Sequence, residues 1–302
     1  ETIYSTSFPT QVEDVVEAIP SKVTEDMNES LARVFTREEV AMALKKIHPT
    51  KGPGPDGMSA IFYQKYWGIV GNSVTNLVLN VLNNNLPMTE INKTNISLNP
   101  KTNCLKKMTD FRPINLCNVI YKLISKILAN RLKNLLPLII SENQSAFTSN
   151  QLITDNVLVA FELMHYLNHK LVGKEGFMAV KLDISKAFDR VEWGFIKRIM
   201  EKLSFCTKWV SLIMQCITSV SYSVLINGAA YGNIIPSRGL RQGDPLSHSL
   251  FLLCAEGLSA IIHEAARNHL LTGISISRNC LNITYLFFAD DSILFCKAKN
   301  EE

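Results

Sequence analysis

The chain is predicted to adopt an α+β fold, and two patterns carry that prediction. From Phe177 onwards, short runs of β-branched and aromatic residues alternate with apolar stretches at helical spacing, as strands interleaved with helices do. Before that point the apolar residues recur mainly at helical spacing, one stripe of each helix facing a core. An antiparallel sheet with helices packed on one face satisfies both patterns. At 302 residues and 47% hydrophobic content, the chain can bury a substantial core as one large or two modest domains.

Residues 1–95 read as mainly helical. Thr36, with Glu39 three positions later, forms a capping box before a helix carrying Val40, Met42, Ala43, Leu44 and Ile47. The stretch 51–57, Lys-Gly-Pro-Gly-Pro-Asp-Gly, is a turn by composition. Residues 114–136 are predicted to hold one long amphipathic helix, with Val119, Ile120, Leu123, Ile124, Ile127, Leu128 and Leu132 inward and Pro137 as its stop. The run 177–183 is a strand ending on a carboxylate, and after a turn comes a core helix with Trp193, Ile196, Ile199, Met200 and Leu203. Tyr222 to Ile226 ahead of Asn227-Gly228 is a hairpin signal. The glycine-punctuated loop 239–247 leads into a helix whose stripe is Leu246, Leu250, Phe251, Cys254, Leu258, Ile261 and Ile262, with Ser247 as candidate cap. Two final strands, 283–287 and 293–295, are joined by a tight turn.

Composition excludes several kinds of chemistry. A net charge of +4 is too small to argue for nucleic acid unless clustered. Clusters do occur at Lys101, Lys106, Lys107 and Arg112, and at Lys122, Lys126, Arg131 and Lys133; the second reads equally as a solvated helix face or a phosphate-contact surface. The seven cysteines are scattered without a C-x-x-C pair, which argues against zinc or a disulfide framework and for a reducing, intracellular setting. The histidines lack metal-ligand spacing, and no Ser-His-Asp or Cys-His device is evident. No signal peptide opens the chain, and no apolar run reaches the roughly 18 residues of a spanning helix, so no membrane partner is expected.

Two acidic sites stand out instead. Phe288-Ala289-Asp290-Asp291 sets adjacent carboxylates between apolar strands, where unpaired anions are costly and a divalent cation relieves the cost. Asp183 closes the other strand, and alternation puts it on one face with Phe177, Ala179 and Lys181. Strand-end carboxylates brought side by side suit two hard cations and in-line phosphoryl or nucleotidyl transfer. Nucleases and phosphatases use paired aspartates too, so the pairing alone leaves those classes open. Between the sites, the loop Gly239-Leu240-Arg241-Gln242-Gly243-Asp244-Pro245-Leu246-Ser247 offers glycines for close backbone approach, and Gln242 as donor and acceptor.

Taken in order, Leu-Asp-Ile-Ser-Lys-Ala-Phe-Asp-Arg-Val at 182–191, then 239–247, then 288–291, these motifs closely resemble the reverse transcriptase of non-LTR retrotransposons, most strongly the long interspersed elements of plants. The resemblance extends through 51–57, through Thr109-Asp110-Phe111-Arg112-Pro113-Ile114 and through Gln144-Ser145-Ala146-Phe147, and so covers nearly the whole chain. It implies a right-hand polymerase fold: a helical extension at 1–95, fingers at 96–176, and at 177–302 a palm with an antiparallel sheet packed on helices, cut before the thumb. The implied activity is RNA-directed DNA synthesis, in which a primer 3′-hydroxyl attacks the α-phosphate of a deoxynucleoside triphosphate. The implied partners are an RNA template, a DNA primer and deoxynucleoside triphosphates (dNTPs). The implied cofactor is Mg2+, with Mn2+ as a substitute, and the implied compartment is the nucleus.

The resemblance also assigns residues. Asp183 and Asp290 match the carboxylates that hold the two metal ions, and Asp291 completes the acidic triad. Phe188 matches the ring that blocks a ribose 2′-hydroxyl, and Gln242 the residue beside the incoming nucleotide, with Gly239, Gly243 and Pro245 near template and primer. Lys101 and Arg112 match cations that grip the triphosphate, one a point charge and the other a planar fork. Three positions depart from the pattern: Asn99 where an apolar residue is usual, Gln151 for an arginine, and His248 for a proline. An unpartnered amide in a buried strand at Asn99 would cost about 1–3 kcal/mol, and His248 would loosen the helix start. These departures support the alternative of a catalytically inactive, degenerate remnant that keeps the fold and nucleic-acid binding. A nuclease would leave Phe188, Gln242, Lys101 and Arg112 without a purpose. Without a thumb to position the primer, the fragment alone is expected to synthesise DNA poorly or not at all.

Overall fold

The computed structural model describes residues 2–147, 153–170, 176–277 and 281–299. Five helices come first: α1 (Val12–Glu17), α2 (Glu25–Ala32), α3 (Arg37–Lys46), α4 (Ala60–Lys65) and α5 (Trp67–Asn84). Strands β1 (Lys93–Pro100) and β2 (Phe111–Cys117) precede α6 (Val119–Lys133), the short α7 (Leu136–Ile139) and α8 (Ile153–His169). The rest runs β3 (Phe177–Asp183), α9 (Trp193–Lys202), α10 (Thr207–Thr218), β4 (Ser221–Ile226), β5 (Ala229–Ile234), α11 (Ser247–Arg267), β6 (Tyr285–Phe288) and β7 (Asp291–Lys297). The strands form two sheets, in the orders β2-β1-β4-β5 and β3-β7-β6. All pairings are antiparallel except β1 with β4, so the fold is α+β.

Local chemistry accounts for many of these elements. The Thr36 N–H donates to Glu39 Oε2 at 3.0 Å, so Glu39 reaches back over the start of α3 as a capping box requires. Asn227 and Gly228 both take positive φ, 51° and 83°, the condition for a primed two-residue turn between β4 and β5. Trp193, Ile196, Ile199, Met200 and Leu203 are all buried.

Elsewhere tertiary pairing overrides the local pattern. Residues Ile114 to Cys117 are strand rather than helix, because they complete the antiparallel ladder of β2 on β1; α6 begins only at Val119. Pro137 does not stop that helix. It sits in the first turn of α7, where a missing N–H costs nothing. In α11, Ile261 faces outward while Leu252 and Leu253 are buried, because this helix is enclosed on several sides rather than along one stripe. By length and composition α11 is apolar enough to cross a membrane, and here it is a core helix that also buries Glu256. Asn99 is exposed, so the cost foreseen for a buried amide does not arise. Gln151 and Cys280 lie outside the described residues.

One apolar core joins α3, α5, α6, α9, α10 and α11 through Val40, Val78, Leu123, Ile199, Ile213 and Leu250. A second cluster sits under α8, where Leu163 meets Leu286 and Phe295 of the three-stranded sheet. Arg131 on α6 is 6% exposed; its guanidinium lies 3.6 Å over the Phe35 ring, forks onto both Glu39 oxygens at 2.8 Å and donates to the carbonyls of Leu31, Arg33 and Val34. Lys122 is likewise buried and donates to the Gly52 carbonyl at 3.0 Å. Neither is a solvated or phosphate-facing cation. Both are internal ties.

Candidate active site

The acidic site is built by register. Asp183, the last residue of β3, pairs with Asp291, the first residue of β7, and Asp291 pairs on its other side with Phe288 of β6. Directly paired residues of an antiparallel ladder point to the same face, so the two carboxylates are neighbours at one end of the sheet. Asp290 belongs to the turn proper and is half-buried, whereas Asp183 and Asp291 are exposed. The dry surroundings expected from the sequence are therefore not what the carboxylates meet, because β3 is an edge strand whose last residues face solvent. Lys181, on the same face as Asp183, places its Nζ 3.3 Å from Asp291 Oδ1.

The turn is held from outside its own hairpin. Gln144 Oε1 accepts from the Ala289 N–H at 3.1 Å and from the Ala146 N–H at 3.0 Å. The Phe287 N–H donates to the Asn143 carbonyl at 2.8 Å, and Asn156 Nδ2 donates to the Phe287 carbonyl at 2.9 Å. Ala289 has φ 54°, left-handed backbone for a residue with a Cβ, and the Gln144 bond falls on its N–H. In the sequence Gln144 stands within a motif that assigns it no task. Its signal was a polar residue next to three small or apolar ones, which reads as an ordinary turn.

The loop 239–247 is stitched to the segment that follows β3. The N–H groups of Gly239 and Leu240 donate to the carbonyls of Val191 and Phe188, each at 2.8 Å. Gly239 has φ 99°, and a Cβ there would lie 3.0 Å from the Asp189 carbonyl oxygen, so only glycine allows this approach. Phe188 stacks on Phe251 of α11, centroids 4.6 Å apart and planes 14° apart, with the His248 ring 5.7 Å away on its edge. His248 also packs on Phe147 at 4.3 Å, and burial, aided by Lys51, pushes its pKa down against the pull of Asp244. Rather than loosening the start of α11, which begins at Ser247, His248 fills a ring cluster beside Phe188.

Gln242 and Gly243 sit between two buried charges that the sequence left without a role. Arg241 and Asp244 pair at 3.0 Å, each side chain 3% exposed. Arg241 lies 3.9 Å over the Tyr121 ring and donates to Asn92 Oδ1 and, at 3.2 Å, to the Cys216 carbonyl. Asp244 accepts from Tyr121 Oη at 2.7 Å, from Ser125 Oγ, and from the Leu246 N–H at 3.0 Å; Leu246 rather than Ser247 is the cap residue of α11, and no side chain caps the helix. With both flanking residues anchored, Gln242 and Gly243 (φ 92°) are pushed outward. Among the described residues the Gln242 amide has no hydrogen-bond partner, and Pro245 is half-buried.

Lys101 and Arg112 share one face of the β1–β2 hairpin, since Asn99 pairs with Arg112 and the Lys101 N–H donates to the Asp110 carbonyl at 2.8 Å. The Lys101 Nζ donates to the Thr109 carbonyl at 3.1 Å, within the same hairpin. Burial raises the pKa of Asp189, and Lys186 and Lys101 draw it back.

Asp183, Asp290 and Asp291 present the hard carboxylate oxygens that suit a divalent cation such as Mg2+. Among the described residues no three such side chains are gathered as a ready ligand set, and the Lys181 ammonium is the cation nearest Asp291.

A family model described as reverse transcriptase (RNA-dependent DNA polymerase) matches residues 99–302. An uncharacterized 149 kDa protein of transposon TX1 from Xenopus laevis is 27% identical over 286 residues, 95% of this chain and 21% of that protein. The Pol polyprotein of a type-2 retrotransposable element from Drosophila melanogaster is 27% identical over 275 residues, 90% of this chain and 24% of the relative. An uncharacterized mitochondrial protein of Arabidopsis thaliana is 53% identical over 68 residues, 22% of this chain and 56% of that protein. The chain thus spans about a fifth to a quarter of the two long relatives.

Proposed function

Since the chain belongs to the reverse transcriptase (RNA-dependent DNA polymerase) family, we propose that it is the polymerase core of a plant non-LTR retrotransposon of the long interspersed element type. The transposon and retrotransposable-element relatives support the element type, and the identity with the Arabidopsis protein supports the plant source. The observation that carries the reading is the register pairing of Asp183 with Asp291 across two strands, with Asp290 next in chain.

In this reading Asp183, Asp290 and Asp291 hold Mg2+, which when bound stabilises negative charge on the attacking and leaving oxygens. Lys101 and Arg112 grip the triphosphate from the β1–β2 hairpin. Phe188, backed by Phe251, presents a rigid ring to the sugar and leaves no room for a 2′-hydroxyl. Gln242, held out by the Arg241–Asp244 pair, meets the incoming base, and Gly239, Gly243 and Pro245 let template and primer approach the backbone. The primer 3′-hydroxyl attacks the α-phosphate, a new phosphodiester forms and pyrophosphate leaves. Template RNA, primer DNA and dNTPs are the partners, and synthesis takes place in the nucleus.

A folded remnant that binds RNA without chemistry is the second reading. One observation favours it: the carboxylates are not gathered as a set of three, and Asp291 is engaged by Lys181. The deciding test is magnesium-dependent primer extension on an RNA template by the polymerase within its full coding sequence. Extension that uses dNTPs and falls by about 10²-fold or more in Asp290→Ala supports the enzyme. No extension by the unmodified protein supports the remnant.

A further inference from the structure

The sequence carried the expectation that the histidines lack metal-ligand spacing, and α8 corrects it for one pair. His165 and His169 are four residues apart. In an extended chain that spacing brings nothing together, but on a helix it is close to one turn, about 6 Å of rise and about 40° of rotation. Both residues lie in α8, and both side chains are exposed. Their rings stack with centroids 4.1 Å apart and planes 27° apart.

Hydrogen bonding fixes which nitrogen is free. His169 Nδ1 lies 2.8 Å from the His165 carbonyl oxygen, which can only accept, so Nδ1 carries the proton. In the neutral ring the lone pair is then on Nε2. One ring nitrogen donating to a backbone carbonyl while the other stays open is the arrangement that orients metal-ligating histidines. Among the described residues neither nitrogen of His165 nor Nε2 of His169 has a hydrogen-bond partner. The pair ends α8, where the helix dipole favours positive charge, and the ammonium of Lys170 lies 3.8 Å over the Phe177 ring.

We propose that His165 and His169 form a two-ligand site for a transition-metal cation of the Zn2+ class at the C-terminal end of α8. Imidazole suits Zn2+, Ni2+ and Cu2+, whereas Mg2+ takes hard oxygens, so this pair and Asp183, Asp290 and Asp291 select different ions. With Zn–N bonds of about 2.0–2.1 Å at a tetrahedral angle, the two nitrogens stand about 3.3 Å apart. Exposed rings already stacked at 4.1 Å reach that separation by small side-chain rotations. Among the described residues no third His, Cys, Asp or Glu is gathered with them, so water fills the remaining positions. The metal ties the last turn of α8 to the one before it. Leu163 of the same helix packs against Leu286 and Phe295, so the tie stiffens the helix that supports the strand leading to Asp290.

The test is isothermal titration of Zn2+ into this chain at about pH 7.5, where an unperturbed imidazole is neutral. His165→Asn and His169→Asn should each weaken Zn2+ binding by at least the roughly 10-fold that loss of a supporting partner alone costs a metal site. Both positions are exposed, and an unchanged far-ultraviolet circular dichroism spectrum checks that each variant keeps its helices. Excess Mg2+ should not displace the Zn2+, and Asp290→Ala should leave the affinity unchanged. With Cu2+ as the probe, electron paramagnetic resonance should show coupling to two nitrogens in the unmodified chain and to one in either variant. A Zn2+ affinity unchanged in both histidine variants, or lost to the same extent in Asp290→Ala, overturns the proposal. The polymerase reading stands or falls separately, since its primer-extension test does not involve these two residues.

Discussion

Asp189 shows how a single residue can carry an unfavourable charge in this fold. It is buried, and among the described residues its carboxylate has no hydrogen-bond partner; Lys186 and Lys101 act on it only through space. Burial raises its pKa. A carboxyl whose folded pKa exceeds its unfolded one binds its proton more tightly in the folded state. Stability is therefore lost as pH rises from the ordinary aspartate range, about 3.9, through the raised folded value, and the loss is complete above it. Asp189→Asn should be more stable than the unmodified chain at pH 7, and that advantage should vanish below about pH 4. Thermal melting at the two pH values checks this, and an advantage that persists at low pH would refute the cause.

At the scale of elements, two ion pairs with buried arginines differ in what they position. Arg131 joins α6 to α3 and to the carbonyls between α2 and α3. Arg131→Ala would strand Glu39 beside three carbonyls that have lost their donor, and denaturant unfolding should show a loss of about 3–5 kcal/mol. The Arg241–Asp244 pair instead holds a loop. Tyr121→Phe removes one hydrogen bond from Asp244 and keeps the ring under Arg241, so the stability loss should be near 1 kcal/mol. Because that loop carries Gln242, the proposed polymerase function predicts that the same variant, in the full coding sequence, raises KM for dNTPs more than it lowers kcat. Steady-state extension kinetics resolve the two, and an equal fall in kcat with unchanged KM would place the effect elsewhere.

At the scale of the whole molecule, the helices of residues 1–95 do not own a separate core. Val40 and Leu44 of α3 and Val78 of α5 pack in the same cluster as Leu123 of α6 and Leu250 of α11. Lys22 reaches Glu256 of α11 at 2.6 Å, and the Val23 N–H donates to the Leu203 carbonyl at 3.0 Å. Residues 96–302 produced alone should therefore lose cooperative melting, and a sharp transition matching that of the full chain would show an independent domain. The sheet order carries the same lesson. The β4–β5 hairpin, read as part of the region that holds the carboxylates, instead extends the β1–β2 sheet through the parallel pairing of β1 with β4.

Near neighbours along the chain are enough to specify the Asn227-Gly228 turn, the capping box at Thr36, the core stripe of α9, and the family motifs with their order. Tertiary structure decided what depends on partners far along the chain. Residues Ile114 to Cys117 became strand because β1 offered an edge. Arg131 and Lys122 became internal because α3 and the 51–57 loop brought acceptors to them. Asp183 met Asp291 because strand register is set by two faces packing at once, which no window of sequence contains. Gln144, Arg241 and Asp244 stayed hidden for the same reason, since a polar side chain shows its task only when the distant groups it satisfies have been brought to it.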